Sequence, residues 1–225
     1  LMDAGYVSAI AMNGAAAIHA FELALCGHTS EDVESVLPDG RFGTAEETGR
    51  LMNEAARDAV EAGCGLGEAL GAKLQQAAPT GFAPVSILLQ AWKRQLPVTV
   101  HVAIGTDFIH MHPTADGAAI GQASYTDFRL FCSLARGLHE GGVYLNVGSA
   151  VVLPEVFLKV VSALRNLGFS LQRFTTVNLD FFQHYRPTVN VVRRPHAQAG
   201  GRGIALTGHH EIMFPLLAAL LKETA

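Results

Sequence analysis

One local pattern constrains this chain more than any other: a short apolar run stops abruptly at small or polar residues, and a helical pattern follows. Residues 7–12 run into Asn13-Gly14, and residues 98–104 run into Gly105-Thr106-Asp107. Residues 143–147 run into Gly148-Ser149, and residues 174–177 run into Asn178 and Asp180. Runs of this length are too short for buried helices, and bounded by Gly they read as strands covered on both faces. Strands alternating with helices imply an α/β fold on a mostly parallel sheet, whose ligands collect at the carboxyl ends of the strands. The polar clusters are therefore expected to meet in one crevice.

The 225 residues suffice for one α/β domain with a full core and are short for two, so a single domain over 1–225 is expected. The 49% hydrophobic content argues for a well-buried globular protein. The net charge is −4 and the 16 basic residues form no run beyond pairs such as Arg193-Arg194, which argues against a nucleic-acid partner. No apolar stretch reaches the roughly 18 residues needed to cross a bilayer; the longest, 212–221, is interrupted by Pro215. Cys26, Cys64 and Cys132 are odd in number, widely spaced and set among Leu, Ala and Gly. They read as buried free thiols in a reducing, cytoplasmic compartment. The opening Leu-Met-Asp-Ala-Gly resembles the end of a helix with a Gly stop, so a further segment is expected upstream.

Asn13 is placed to cap a helix over about 15–26, closed by Gly27. Thr44 with Glu47 three residues on reads as a capping box opening a helix to about 62, and a short helix follows near 68–76. Pro84 fits the first turn of a helix reaching about 95. Residues 111–124, rich in Gly, Ala and Pro, read as a long loop over the crevice, with helices at 126–139 and 154–167. Residues 186–203 read as irregular, with an edge strand at 189–192, and a last apolar helix ends near Lys222.

Several of these positions carry candidate chemistry. Gly148-Ser149 ahead of a helix suits an anion or cofactor, because Gly admits a ligand to the backbone and helix amides favour negative charge; a tight turn also wants Gly. Asn13-Gly14 carries the same two readings, and neither turn matches the Gly-x-Gly-x-x-Gly fingerprint. Asp107 at a strand end would bind a ribose hydroxyl, an amine or a cation, or else cap its loop. His110 and His112, at period-two spacing, would face one side of an extended segment; with Asp107 and His209-His210 they would build a divalent metal site. His209-His210 at the start of the last helix suit a neutral general base, with Thr207 or Gly208 as the cap. His19 lies on the first helix, where Glu22 one turn on would orient it.

Taken in order, these pieces resemble the deoxyhypusine synthases and related homospermidine synthases over most of the chain. Ala11-Met12-Asn13-Gly14-Ala15-Ala16-Ala17-Ile18-His19 is similar to the family's strand, Ala-Gly-Gly, acid and helix segment. Pro84 to Trp92 and on through Leu96-Pro97-Val98 resembles the helix and strand entry ahead of its Thr-Asp motif, which Thr106-Asp107 matches. Asn146-Val147-Gly148-Ser149-Ala150-Val151-Val152 lies where the family has a Gly-rich turn and helix, and Asn178 falls near its Asn-Thr-Ala cofactor segment.

The resemblance implies a three-layer Rossmann-like NAD-binding fold, a homotetramer and sites shared between subunits. It also implies chemistry in which spermidine is dehydrogenated and its aminobutyl group passes through an imine on a lysine. At the corresponding stretch this chain reads Leu206-Thr207-Gly208-His209-His210, and its lysines are Lys73, Lys93, Lys159 and Lys222, all on helical patterns elsewhere. Imine formation needs a primary amine, which imidazole does not supply. The family's acid in the first helix is replaced by His19, and its His-rich turn by Leu153-Pro154-Glu155.

The expected protein is thus a homo-oligomeric NAD-binding transferase or oxidoreductase acting on a small polar or amine-bearing molecule. Asn13, Gly14, Thr106, Gly148, Ser149, Asn178 and Asp180 would border the cofactor. Asp107, His19, His209 and His210 would act on the substrate. The alternatives are a metal-assisted hydrolase or lyase using Asp107 and the histidine clusters, and a non-catalytic ligand-binding relative.

Overall fold

The computed structural model describes residues 1–29, 31–78 and 81–223. The chain is an α/β protein that divides into two compact units, one formed by Met2 and Ala4–Leu130, the other by Leu1, Asp3 and Phe131–Ala225. The one sheet expected from the sequence is instead two parallel sheets, of two and three strands.

In the amino-terminal unit β1 (Ile10–Asn13) lies parallel to β2 (Val98–His101), with Ile10 opposite Val98 and Asn13 opposite His101. Asn13 ends β1 and caps α1 (Gly14–Cys26): its Oδ1 accepts from the Ala16 amide at 2.8 Å. Gly27, at φ 77, closes the helix in the left-handed conformation that a residue without Cβ adopts freely. Next come α2 (Val33–Val36), α3 (Glu46–Ala62) and α4 (Leu66–Ala77). The capping box expected for α3 is absent: Ala45 is the cap residue, and the Thr44 hydroxyl donates back to the Arg41 carbonyl at 2.7 Å. Pro84 sits in a separate short 3-10 turn, and α5 (Ile87–Lys93) starts only after Ser86, whose Oγ accepts from the Leu89 amide. Phe21, Leu70, Leu74, Leu88, Leu89 and Val100 fill the core of this unit.

The long loop expected over 111–124 is also corrected. Asp116 Oδ1 accepts from the amides of Ala118 and Ala119 at 2.9 and 3.1 Å and opens α6 (Gly117–Ala135). An acidic cap followed by an alanine pair outweighs the loop signal of the surrounding Gly residues. Further along α6, Asp127 is fully buried, and its Oδ2 accepts from the amides of Gly67 and Val100 at 2.9 and 2.8 Å. One carboxylate thereby joins α6, the start of α4 and the middle of β2. A Cβ at Gly65 would overlap that carboxylate, so glycine there is what lets α6 approach.

The carboxy-terminal unit carries β3 (Val143–Val147), β4 (Thr175–Asp180) and β5 (Arg202–Thr207), parallel and in that order, with α7 (Val152–Asn166) between the first two strands. Its core packs Tyr144 of β3 face to face on the fully buried Phe157 of α7, ring centroids 3.8 Å apart. The edge strand expected at 189–192 is a π-helical turn, Pro187–Arg193. Tertiary partners override the β-branched run there: the Val191 carbonyl accepts from the Thr176 hydroxyl, and Asn190 donates to Glu155 Oε1. The actual edge strand, β5, starts at the end of the stretch read as irregular and runs on through residues 204–207, and α8 (His210–Glu223) follows it.

Candidate functional site

In the carboxy-terminal unit the ends of β3, β4 and β5 bring Gly148, Asp180 and His210 into one neighbourhood. Gly148 follows β3 with φ 67 and donates its amide to the Leu179 carbonyl. The ring of His210, first residue of α8, donates from Nε2 to that same carbonyl at 3.2 Å. With the Nε2 proton held there, Nδ1 is the basic nitrogen of the neutral ring. A Cβ at Gly148 would stand 3.2 Å from His210 Nε2, so these two strand ends touch closely. Asp180 ends β4, almost wholly buried, with Oδ1 accepting from the Phe181 amide at 2.8 Å. His209 is exposed and lies parallel to the Phe181 ring, centroids 5.7 Å apart. The helix cap is therefore His209, whose carbonyl accepts from Met213, and not Thr207 or Gly208.

Beneath this rim a row of side-chain amides crosses the sheet. Asn146 Nδ2 donates to Asn178 Oδ1 at 2.7 Å, and Asn178 Nδ2 donates to Gln183 Oε1 at 2.7 Å. Gln183 Nε2 reaches the Leu206 carbonyl at 3.1 Å. Asn178 is thus a fully buried member of the row, below the rim. Asn146 also donates to the Ser149 carbonyl, and the Ser149 hydroxyl accepts from the Leu153 amide in the first turn of α7. The loop after Gly148 is fixed in this way from both sides. Among the described residues no hydrogen-bond acceptor faces the amides of Ser149, Ala150 and Val151.

In the amino-terminal unit Asn13, Gly14 and Asp107 come together. A Cβ at Gly14 would overlap the Asp107 carboxylate, so that acid occupies space beside the first residue of α1. Burial raises the Asp107 pKa, against the opposing effect of the nearby His110. Thr106 itself is exposed and donates to the Ala103 carbonyl at 2.7 Å. With a carboxylate already beside the start of α1, this turn is a poor place for a phosphate. Asn13 caps α1, one of the two roles the sequence offered for it.

Other assignments are corrected outright. His110 and His112 do not share a face: His110 Nδ1 accepts from the Gly105 amide at 3.1 Å, while the His112 ring bridges Glu46 Oε2 and Thr114 Oγ1, each at 2.8 Å. The chain turns through a 3-10 helix at Phe108–Met111, so period-two alternation does not apply. No group of three or more His, Cys, Asp and Glu among the described residues is arranged to hold a metal. Glu22 accepts from Thr29 and Thr48 and does not orient His19, which lies exposed on α1. The thiols are free, but none is fully buried: Cys26 is exposed, and Cys64 and Cys132 are half-buried. The four lysines all lie on helices, Lys73 on α4, Lys93 on α5, Lys159 on α7 and Lys222 on α8. No described helix is long and apolar enough to cross a membrane.

Three polar residues escaped the sequence reading. Gln183 looked like one position among aromatics, and Asp127 like one more charge on a helix. His101 closes β2, hydrogen-bonded to Thr99, and burial pushes its pKa down to about 4, so it is neutral at ordinary pH. No protein-family model matches the chain, and no curated protein matches its sequence.

Proposed function

We propose that the carboxyl ends of β3, β4 and β5 bind a nucleotide cofactor of the NAD type. On this reading the protein is a transferase or oxidoreductase acting on a small polar or amine-bearing molecule, on a three-layer Rossmann-like scaffold of the deoxyhypusine synthase kind. One observation carries the proposal: three consecutive amides, of Ser149, Ala150 and Val151, lie beyond a left-handed Gly148 without a protein acceptor among the described residues. Such a run of amides next to a helix start is the arrangement that receives phosphate oxygens. Asp180, at the same edge, would accept from a ribose hydroxyl, and His210 Nδ1 would take or return a proton. NAD, when bound, would supply the hydride acceptor. The protein-modifying reaction of the resembled family is not part of the proposal, because no lysine stands at this edge for the imine it requires.

Calorimetric titration with NAD tests the reading. Saturable binding is expected. Gly148→Ala should weaken it by about tenfold or more, because the new side chain strains the turn at φ 67. His210→Gln should retain cofactor and lose turnover. Absence of any NAD binding to folded protein would remove the proposal.

A further inference from the structure

The opposite end of the same sheet carries a second polar cleft that the proposed function leaves unused. It has a volume of about 550 Å³ and is bordered by the segment 168–172, just before β4, and the segment 197–199, just before β5. The six residues of β4 separate it from the Gly148 edge by roughly 20 Å. Its charged lining consists of Arg165 and Arg194, without a carboxylate.

Arg165 is held in place: its Nη2 donates to the carbonyls of Leu171 and Pro195 at 3.0 and 2.7 Å. Carbonyl dipoles orient a guanidinium without cancelling its charge, and among the described residues no carboxylate pairs with Arg165 or Arg194. Burial lowers the Arg165 pKa, and its charge in turn helps to lower that of His196. Arg194 is exposed, and Nη1 rests on Asn190 Oδ1 at 2.7 Å. Beside the cleft a smaller hollow of about 230 Å³ adds Arg136 and His139, with the Arg136 guanidinium 4.3 Å from the Phe169 ring centre. Gln198, on the cleft wall, adopts φ 132, a conformation that side-chain-bearing residues avoid and that marks a constrained loop. Fixed, unpaired guanidinium groups lining a concavity match the planar oxygens of phosphate and carboxylate groups.

We infer that this cleft binds the phosphate or carboxylate group of a small anionic molecule, between Arg165 and Arg194, as a site separate from the cofactor edge. Ligands of parallel sheets are processed at the carboxyl ends of the strands. A binder at the amino ends is therefore an effector or a positioning ligand and not the reactant.

The test titrates inorganic phosphate into the full chain at constant ionic strength, following the side-chain Nε–H signals of the arginines by NMR. The Arg165 and Arg194 signals should shift saturably, and Arg194→Ala should weaken binding by about tenfold, the loss of one charge-assisted contact. Arg193→Ala, outside the cleft lining, should leave the affinity unchanged. Shifts that fail to saturate, or equal affinity in Arg194→Ala, would overturn the site. Binding of phosphate by protein that ignores NAD would uphold this site while removing the proposed function.

Discussion

Asp127 is subject to opposing influences of known direction. Burial pushes its carboxyl up to about 7, and the amides of Val100 and Gly67 pull it down without prevailing. Its folded pKa therefore lies above the ordinary value of 3.8. The native state holds the proton more tightly than the unfolded chain, so stability from this group is greatest below about pH 4 and declines as pH rises towards 7. The decline should not exceed about 1.4 kcal/mol per pH unit. Asp127→Asn should flatten that part of the profile in urea melts from pH 4 to 7, and an unchanged slope would show that another group titrates. Gly14 and Asp107 form a second coupled pair, since any side chain at 14 meets the Asp107 carboxylate. Gly14→Ala is expected to cost about 1–3 kcal/mol alone and markedly less in an Asp107→Ala background. Strict additivity in that double-mutant cycle would contradict the contact.

Among the elements, α6 teaches most about what the sequence discloses. Its start rests on Asp116, and Asp116→Ala should lower stability by about 1 kcal/mol in denaturant melts, the usual worth of a lost cap. The cap was present in the sequence but sat inside a Gly-, Ala- and Pro-rich stretch that equally suits a loop. Strands β1 to β4 were legible because each short apolar run ends at a residue that must turn or cap. By contrast, β5 is almost entirely exposed, so its Arg-Gly-Ile-Ala-Leu-Thr carries no burial pattern to read. Residues 189–192 carry the opposite lesson, a β-branched run drawn into a π-helical turn by Thr176 and Glu155, partners distant in sequence. For the same reason Gly148 and His210 were visible as candidates, whereas Gln183 became informative only once Asn178 and Leu206 stood beside it.

At the scale of the molecule, α8 has no buried residue, and Ile212 and Leu216 are 66% and 50% exposed. A helix with this much apolar surface in water is the kind of face that self-association covers. The homo-oligomer expected from the sequence should therefore appear in light scattering at micromolar concentration, and Ile212→Glu should shift the mass towards one chain. A single-chain mass at every concentration for the unaltered protein would remove that expectation. The row from Asn146 through Asn178 to Gln183 has an effect on the sheet as a whole. Sliding β3 along β4 by one step would part the buried Asn146 and Asn178 amides and leave them without each other as partners. Misaligned arrangements are thus penalised, and the rim above inherits its position from the interlocked amides beneath it.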